Sequence, residues 1–262
     1  MDARAFEIIC LANSRKYLGR CVAGLRLDGG GWFRPVTSAE HGTLPVEQAC
    51  CGGREVLPLD VIRMWAVEPR PEAYQPENWL LARNRWEHVR RAGPVDIGIL
   101  YMYLERGPLL LGSRTDRVEV SALERRPLGV SVALVAPQFL RWVVTTSVRG
   151  VTQVRAKFEL GRVPYNLVVT DPVWERHMQA FPPGEHWAEA CAREPGRQTL
   201  LSISLGEPFT DGCCYKLVAG VIELAGCYAT ARTGAMLKPG AMPKPRESGA
   251  RACSQQFAFD AV

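Results

Sequence analysis

Four consecutive polar residues follow the first apolar segment of the chain and could bind a phosphate or the edge of a base. They are Asn13, Ser14, Arg15 and Lys16, which offer an amide, a hydroxyl and two cations. Groups of this kind make the phosphate and base-edge contacts of nucleic-acid complexes. The alternative is a solvated turn in which Asn13 bonds its own backbone. Both interpretations predict a polar rim directly after a buried strand.

A second candidate combines aromatic and cationic residues. Trp32 and Arg34 follow a glycine-rich turn, and an apolar hairpin would hold Arg34 beside Trp32 and Phe33. Aromatic rings interleaved with arginines bind single strands, with stacking worth about 1–3 kcal/mol per base. The alternative is that Trp32 belongs to the core of a small barrel.

The strongest electrostatic candidate for a nucleic-acid track is a strand in the second half. Arg155 and Lys157 alternate there with Val154, Ala156 and Phe158. Because successive side chains of a strand point to opposite faces, the two cations should share the exposed face of a sheet.

Three further polar residues of the second half could act together. Asp171 precedes Pro172 and is expected either to cap a helix or to bind a ligand. Glu207 could accept a hydrogen bond from a base or a ribose hydroxyl, and Lys216 could pair with this glutamate at the binding site. The alternative is that Glu207 and Lys216 form a purely structural ion pair at the barrel rim. If Asp171, Glu207 and Lys216 converge between two domains, they would suit a nucleotide or a modified base.

Signatures of catalysis and of metal binding are absent from the sequence. It contains no GxxxxGK[ST] loop, no GxGxxG after a strand and no GxSxG elbow. Cys50-Cys51 and Cys213-Cys214 are adjacent pairs rather than the CxxC spacing of a zinc site. We therefore predict no catalytic residues, no metal and no cofactor. The nine cysteines fit reduced thiols, which predicts a cytoplasmic protein.

Composition restricts the kind of polyanion site that the chain could carry. The 262 residues have a net charge of only +5, from 32 basic and 27 acidic side chains. A strongly basic nucleic-acid binder would carry more, so a site for nucleic acid must be a local patch. No apolar run is long enough to predict a membrane-spanning helix.

The pattern of apolar residues predicts a mostly β protein with a few helices. Short apolar runs separated by Gly and Pro indicate strands in both halves. Helical spacing over 78–91 and after Pro94 predicts a helical insertion at about 78–105. We divide the chain into a first barrel at 1–127, a second barrel at 128–225 and a disordered tail at 226–262.

Several blocks of the sequence resemble a known family, the bacterial dual-OB domain proteins. The blocks are CLANSRK, GRC, GGWFRPV, YQPEN, VTDP, SLGEPF and CYKLVA, spread over about residues 6–224. The resemblance implies two consecutive OB-like Greek-key barrels packed together, and a role in nucleic-acid handling. Some members of the family are associated with bacterial conflict systems.

These observations lead to one leading expectation and two alternatives. The leading one is a non-catalytic module that binds nucleic acid, preferably single-stranded DNA or RNA. The first alternative is an enzyme or sensor for a nucleotide or modified base, with a polar site between the barrels. The second is a protein–protein adaptor within a conflict system.

Overall fold

The structure is a computed structural model that describes residues 3–82, 86–146, 148, 150 and 152–225. The predicted disordered tail, 226–262, lies outside the described residues. The strands are β1 (Arg4–Lys16), β2 (Gly19–Arg26), β3 (Trp32–Val36), β4 (Cys50–Cys51), β5 (Arg54–Glu55), β6 (Asp60–Pro69), β7 (Asn78–Leu81), β8 (Glu87–Arg91), β9 (Leu104–Glu105), β10 (Arg117–Glu119), β11 (Val132–Val135), β12 (Gln138–Thr146), β13 (Thr152–Leu160), β14 (Val163–Val169), β15 (Gly184–Trp187), β16 (Gln198–Pro208) and β17 (Cys213–Leu224). The helices are α1 (Pro94–Met102), α2 (Val120–Arg125), α3 (Pro172–Met178) and α4 (Ala188–Cys191).

Five strands of the first half close into a barrel. The order around it is β1-β2-β3-β7-β6, and β6 pairs with β1 to complete the ring. Every neighbouring pair is antiparallel except β3 and β7, which run parallel. This arrangement is a five-stranded Greek-key barrel of the OB type.

The second half repeats the same strand order. Strands β12, β13 and β14 form a meander, β14 runs parallel to β17, and β17 pairs with β16. β16 then pairs with β11, which only Ala136 and Pro137 separate from β12. β11 and β12 are therefore two parts of one bent strand. The continuous backbone at this bend, and not a ladder between two separate strands, closes the second barrel. The predicted mostly β fold with two OB-like barrels is confirmed.

The two halves pack through a shared apolar layer. Its buried members come from both barrels and include Ile9, Leu11, Leu134, Leu200 and Ile222. A Cβ at Gly220 would lie 2.2 Å from the Leu11 carbonyl oxygen, so only glycine allows β17 to approach β1 this closely. This close contact holds β1 of the first barrel directly against β17 of the second.

The helical insertion predicted at about 78–105 is only partly correct. α1 begins at Pro94 as expected, but 78–91 contains strands β7 and β8 instead of a helix. β7 is needed to pair with both β3 and β6, and Trp79 packs against the first core. Closure of the barrel therefore outweighs the local apolar spacing.

No helix within the described residues is long and apolar enough to span a membrane.

Candidate functional site

Two adjoining cavities lie where the barrels meet, and together we call them the junction groove. The larger cavity has a volume of about 310 Å³ and is lined by both barrels, with Arg15, Lys16 and Tyr17 from the first and Glu207 and Phe209 from the second. The smaller has a volume of about 230 Å³. Gln75 and Glu207 line both, so the cavities share a wall.

Loops of the barrel rims form the groove. Tyr17 and Leu18 are the two-residue turn between β1 and β2, and residues 70–77 join β6 to β7. The corresponding β16–β17 loop of the second barrel contributes Phe209. The β1–β2 and β4–β5 loops of OB barrels are the segments that bind oligonucleotides and oligosaccharides, and β6 and β7 are the fourth and fifth strands of this barrel.

The aromatic residues at the groove are unusually placed. Tyr17 is 63% exposed and Phe209 is 64% exposed. The Tyr17 ring stacks on the His41 ring at a centroid distance of 4.1 Å. Both residues have positive φ, 50° for Tyr17 and 61° for His41, which is unfavourable for side chains other than glycine. Strain of this kind clusters at functional sites.

Glu207 is the centre of the polar contacts in the groove. One carboxylate oxygen lies 2.7 Å from Lys16 Nζ, and the other lies 2.7 Å from His41 Nδ1. The Tyr17 hydroxyl donates to the same carboxylate at 3.4 Å. Burial and the neighbouring carboxylate raise the pKa of Tyr17, so its hydroxyl stays neutral. Glu207 therefore holds one strand end and two loops of the first barrel.

The predicted pairing of Glu207 with Lys216 is wrong. Lys216 points into the second barrel, where Nζ donates to the carbonyl oxygens of Ser113 (2.9 Å) and Thr115 (2.7 Å). Burial lowers its pKa to about 8. Lys216 is the direct partner of Leu205 on β16, and both side chains are buried in the second barrel. The register is irregular between Leu205 and Pro208, so the alternation breaks before Glu207, which faces the groove instead.

Arg34 lies under the groove rather than on an open surface. It is 1% exposed, and its Nη2 lies 2.7 Å from Glu77 Oε1. The same nitrogen donates to the hydroxyls of Ser131 (3.0 Å) and Ser204 (3.1 Å) from the second half. Burial acts to raise the pKa of Glu77, but Arg34 and Ser131 hold it below its ordinary value. We call this cluster of Arg34, Glu77, Ser131 and Ser204 the buried polar network.

Trp32, Asn13 and Ser14 are also packed rather than open. Trp32 is partly buried against the apolar layers between the barrels. Asn13 and Ser14 are each 6% exposed, and Asn13 donates to the Val56 carbonyl oxygen at 2.9 Å. The segment 13–16 is not a turn, because β1 continues to Lys16. Of these three residues, Ser14 lines the groove.

Asp171 lies away from the groove and caps α3. Its Oδ1 accepts hydrogen bonds from the N–H groups of Val173 (2.9 Å) and Trp174 (3.1 Å), and its Oδ2 accepts from Val221 (2.9 Å). Burial raises its pKa despite these three donors. The expected helix cap is confirmed, and Asp171, Glu207 and Lys216 do not converge.

Arg155 and Lys157 share the outward face of β13, as the alternation predicts. Val154, Ala156 and Phe158 are buried beneath them. Arg155 donates to both the side chain and the backbone of Asn166, and Lys157 pairs with Glu185. We use the name outer sheet for this face of β12 to β15, which carries Arg141, Arg155, Lys157, Asn166, Glu185 and Trp187.

Sequence reasoning missed the aromatic part of the site. Tyr17 directly follows the polar run at 13–16, and Phe209 closes the SLGEPF block. An aromatic residue at the tip of a predicted hairpin would have been the available signal. His41 carried no signal, because its contact with Glu207 links residues 166 positions apart.

Comparison with known proteins identifies the family. The family model of the dual OB-containing domain, DuOB, matches residues 6–221. The chain therefore belongs to the dual OB-containing domain family. The search of curated proteins finds no match.

Solved structures give only weak likenesses. They include a murine DNA-binding protein bound with double-stranded DNA, at 8% identity and a TM-score of 0.30, covering 86% of this chain and 98% of that chain. The Ifi202 HINa domain in complex with 20-bp double-stranded DNA has 8% identity and a TM-score of 0.26, covering 85% and 96%. Likenesses at this level carry no argument about this chain.

Proposed function

We propose that this protein binds single-stranded nucleic acid, DNA or RNA, with at least one nucleotide in the junction groove. The observation that carries the proposal is the pair of exposed rings, Tyr17 and Phe209, which line one cavity together with Arg15 and Lys16. Stacking platforms combined with cations are the general means of binding single strands.

The size of the groove favours a single strand over a duplex. Its larger cavity of about 310 Å³ lies at the lower end of the range for small-molecule sites, roughly 300–1,000 Å³. Such a cavity suits an unstacked base. Arg15 is the more available cation, because its side chain is 56% exposed although it pairs with Glu175 at 2.6 Å.

In this proposal the sequence-predicted residues take different roles. Arg15 and Lys16 contact phosphate, and Glu207 orients Lys16 and accepts a hydrogen bond from a base or ribose. Arg155 and Lys157 add phosphate contacts on the outer sheet. Asn13, Arg34 and Lys216 support the barrels from inside, which agrees with their burial.

Fluorescence anisotropy with labelled single-stranded DNA, single-stranded RNA and duplex DNA at two salt concentrations tests the proposal. Single strands should bind more tightly than the duplex, and the affinity should fall as salt rises, because phosphate contacts release counterions. Binding that does not depend on salt would contradict the phosphate contacts. Absence of binding to all probes would overturn the proposal.

Two matched pairs of variants assign the binding to the groove. Phe209→Ala should weaken binding by about 1–3 kcal/mol, whereas Met102→Ala, at an exposed apolar residue on α1, should not. Arg15→Ala should weaken binding and reduce its salt dependence, whereas Arg63→Ala should not. Arg63 is also a partly exposed arginine in an ion pair, with Glu7, but it does not line the groove.

A nucleotide or modified base is a second candidate ligand, favoured by one observation. Asn78 is only 5% exposed and lines the smaller cavity beside Gln75. Its Oδ1 has no hydrogen-bond partner within the part of the chain that the structure describes. Competition by mononucleotides at the affinity of the oligonucleotide would favour this candidate over the polymer.

We also propose a cytoplasmic role in bacterial defence, because some members of the resembled family are associated with bacterial conflict systems. A protein partner would then contact the exposed tip at Leu18. Expression in a bacterial host followed by phage challenge tests this role. Unchanged plaque numbers with and without the protein would count against it.

A further inference from the structure

We propose that the bound strand leaves the junction groove, crosses the outer sheet of the second barrel and stacks a base on Trp187. This inference rests on the proposed function and gives it a path and a second stacking platform. Its occupant is a single-stranded nucleic acid, because the face combines three cations with an exposed indole ring.

The register of the sheet makes the groove and the outer sheet one surface. Ser204 and Leu217 line the larger cavity and are direct cross-strand partners. Leu217 is also the partner of Val168, and Val168 is the partner of Arg155. Partners in register point to the same face of a sheet. A single row therefore leads from the floor of the groove to Arg155.

The row continues to the edge of the sheet. Arg155 is paired with Val143, and Val143 with Glu185 on β15. A parallel row, two residues along, joins Asn166, Lys157, Arg141 and Trp187. The basic residues and the tryptophan consequently lie side by side on the outward face.

Arg15 joins the two parts of the path. Arg15 lines the groove, and its backbone N–H donates to the Thr170 carbonyl oxygen at 2.8 Å. Thr170 lies two residues beyond Val168, the residue in the row next to Arg155. A strand that leaves the groove therefore meets Arg15 first and Arg155 next.

Trp187 is suited to end the path. It is 54% exposed on the edge strand β15, and the Arg141 guanidinium lies 5.2 Å from its ring centroid. Arg141 holds one face of the indole by a cation–π contact, which leaves the exposed part of the ring available to a base. An exposed tryptophan beside arginine is the combination that single-strand binders use.

The acidic residues on this face reduce its charge without abolishing it. Glu185 lies 3.1 Å from Arg141 and also pairs with Lys157. Glu159 lies further along the outward face of β13. Glu185 competes with phosphate for two cations, so its removal should strengthen binding rather than weaken it.

The length of the path sets the expected site size. From β17 to β15 there are four strand spacings, or about 19 Å at roughly 4.8 Å each. At about 3.4 Å per stacked nucleotide this corresponds to about six nucleotides, and fewer if the strand is stretched. Site sizes of about 4–16 nucleotides are usual for one OB barrel.

Binding of oligonucleotides of two lengths to the full chain tests the path. Trp187→Ala should weaken a probe of about 16 nucleotides by roughly fivefold to 150-fold, the equivalent of one stacked base. It should leave unchanged a probe of about 2 nucleotides held in the groove, too short for the roughly 19 Å path. Met102→Ala, the exposed apolar control, should change neither. Equal effects of Trp187→Ala on both lengths, or none on either, would overturn the path.

Glu185→Gln provides a second test, because a purely structural role of Glu185 would not predict tighter binding. It should tighten binding of the long probe, because Arg141 and Lys157 become free for phosphate, and should leave the short probe unchanged. Weaker or unchanged binding of the long probe would contradict the path.

The failure of this inference differs from that of the proposed function. If the wild-type protein binds no probe, the proposed function fails. If it binds the long probe and Phe209→Ala weakens this binding while Trp187→Ala does not, the groove is retained and the path across the outer sheet is wrong.

Discussion

The two barrels share a strand order but present different surfaces. The first closes by a continuous ladder between β1 and β6, and its rim loops line the junction groove. The second closes through the bend at Ala136 and Pro137, and its sheet continues beyond β12 into β15. The same strand order therefore presents groove-lining loops in the first barrel and a broad open sheet face in the second.

One arginine of the first barrel contrasts with two of the second. Arg34 of the first barrel is buried in an ion pair with Glu77, whereas Arg141 and Arg155 of the second lie on the outer sheet. A buried charge costs much to leave unpaired, whereas an exposed ion pair contributes about 0–1 kcal/mol. Substitution of a buried arginine should therefore change stability, and that of an exposed one should change binding.

Arg34→Met tests the buried half of this comparison and has the largest expected effect. It should lower the free energy of unfolding by about 3–5 kcal/mol, because Glu77 remains buried without its partner. Urea denaturation provides the measurement. The double variant Arg34→Met with Glu77→Met should recover much of the loss, and a single-variant cost below about 1 kcal/mol would contradict the role of the pair.

Tyr17→Asn should separate binding from folding at the rim of the first barrel. Asparagine tolerates the positive φ of this turn, so the free energy of unfolding should change by less than about 0.5 kcal/mol. Loss of the ring should weaken single-strand binding by about 1–3 kcal/mol. Thermal denaturation and anisotropy together check both parts, and a stable variant with unchanged affinity would remove Tyr17 from the site.

Lys157→Ala has the smallest expected effect and tests the outer sheet. Stability should change by at most about 1 kcal/mol, since the ion pair with Glu185 is exposed on both sides. The slope of log affinity against log salt for a long single strand should become shallower by about 0.7, one phosphate contact. Lys157→Arg retains the charge and should keep the wild-type slope.

Local patterns in the sequence predicted much of the sheet. Alternation gave the face of Arg155 and Lys157 correctly, and Asp171 before Pro172 gave the cap of α3. Each of these signals involves residues only one or two positions apart, where periodicity and capping rules apply. The order of the barrel strands came from the family resemblance, not from these patterns.

Contacts between distant residues were beyond sequence reasoning. Arg34 and Glu77 are 43 positions apart, and Tyr17 and Glu207 are 190 apart. Tyr17 and Glu207 come from different barrels, and their contact depends on how the barrels pack. The helix wrongly expected over 78–91 failed for a related reason, because β7 is fixed by its pairing with β3.

The buried polar network also constrains how the two halves can be exchanged. Arg34 and Glu77 belong to one half, but they are satisfied by the hydroxyls of Ser131 and Ser204 and by the Ser131 N–H in the other. Recombination between relatives with a crossover near residue 127 would produce a working chimaera only when the parent of the first half supplies Arg34 and Glu77 and the parent of the second half supplies Ser131 and Ser204. The barrels are duplicated in architecture, yet they must be inherited as a matched pair.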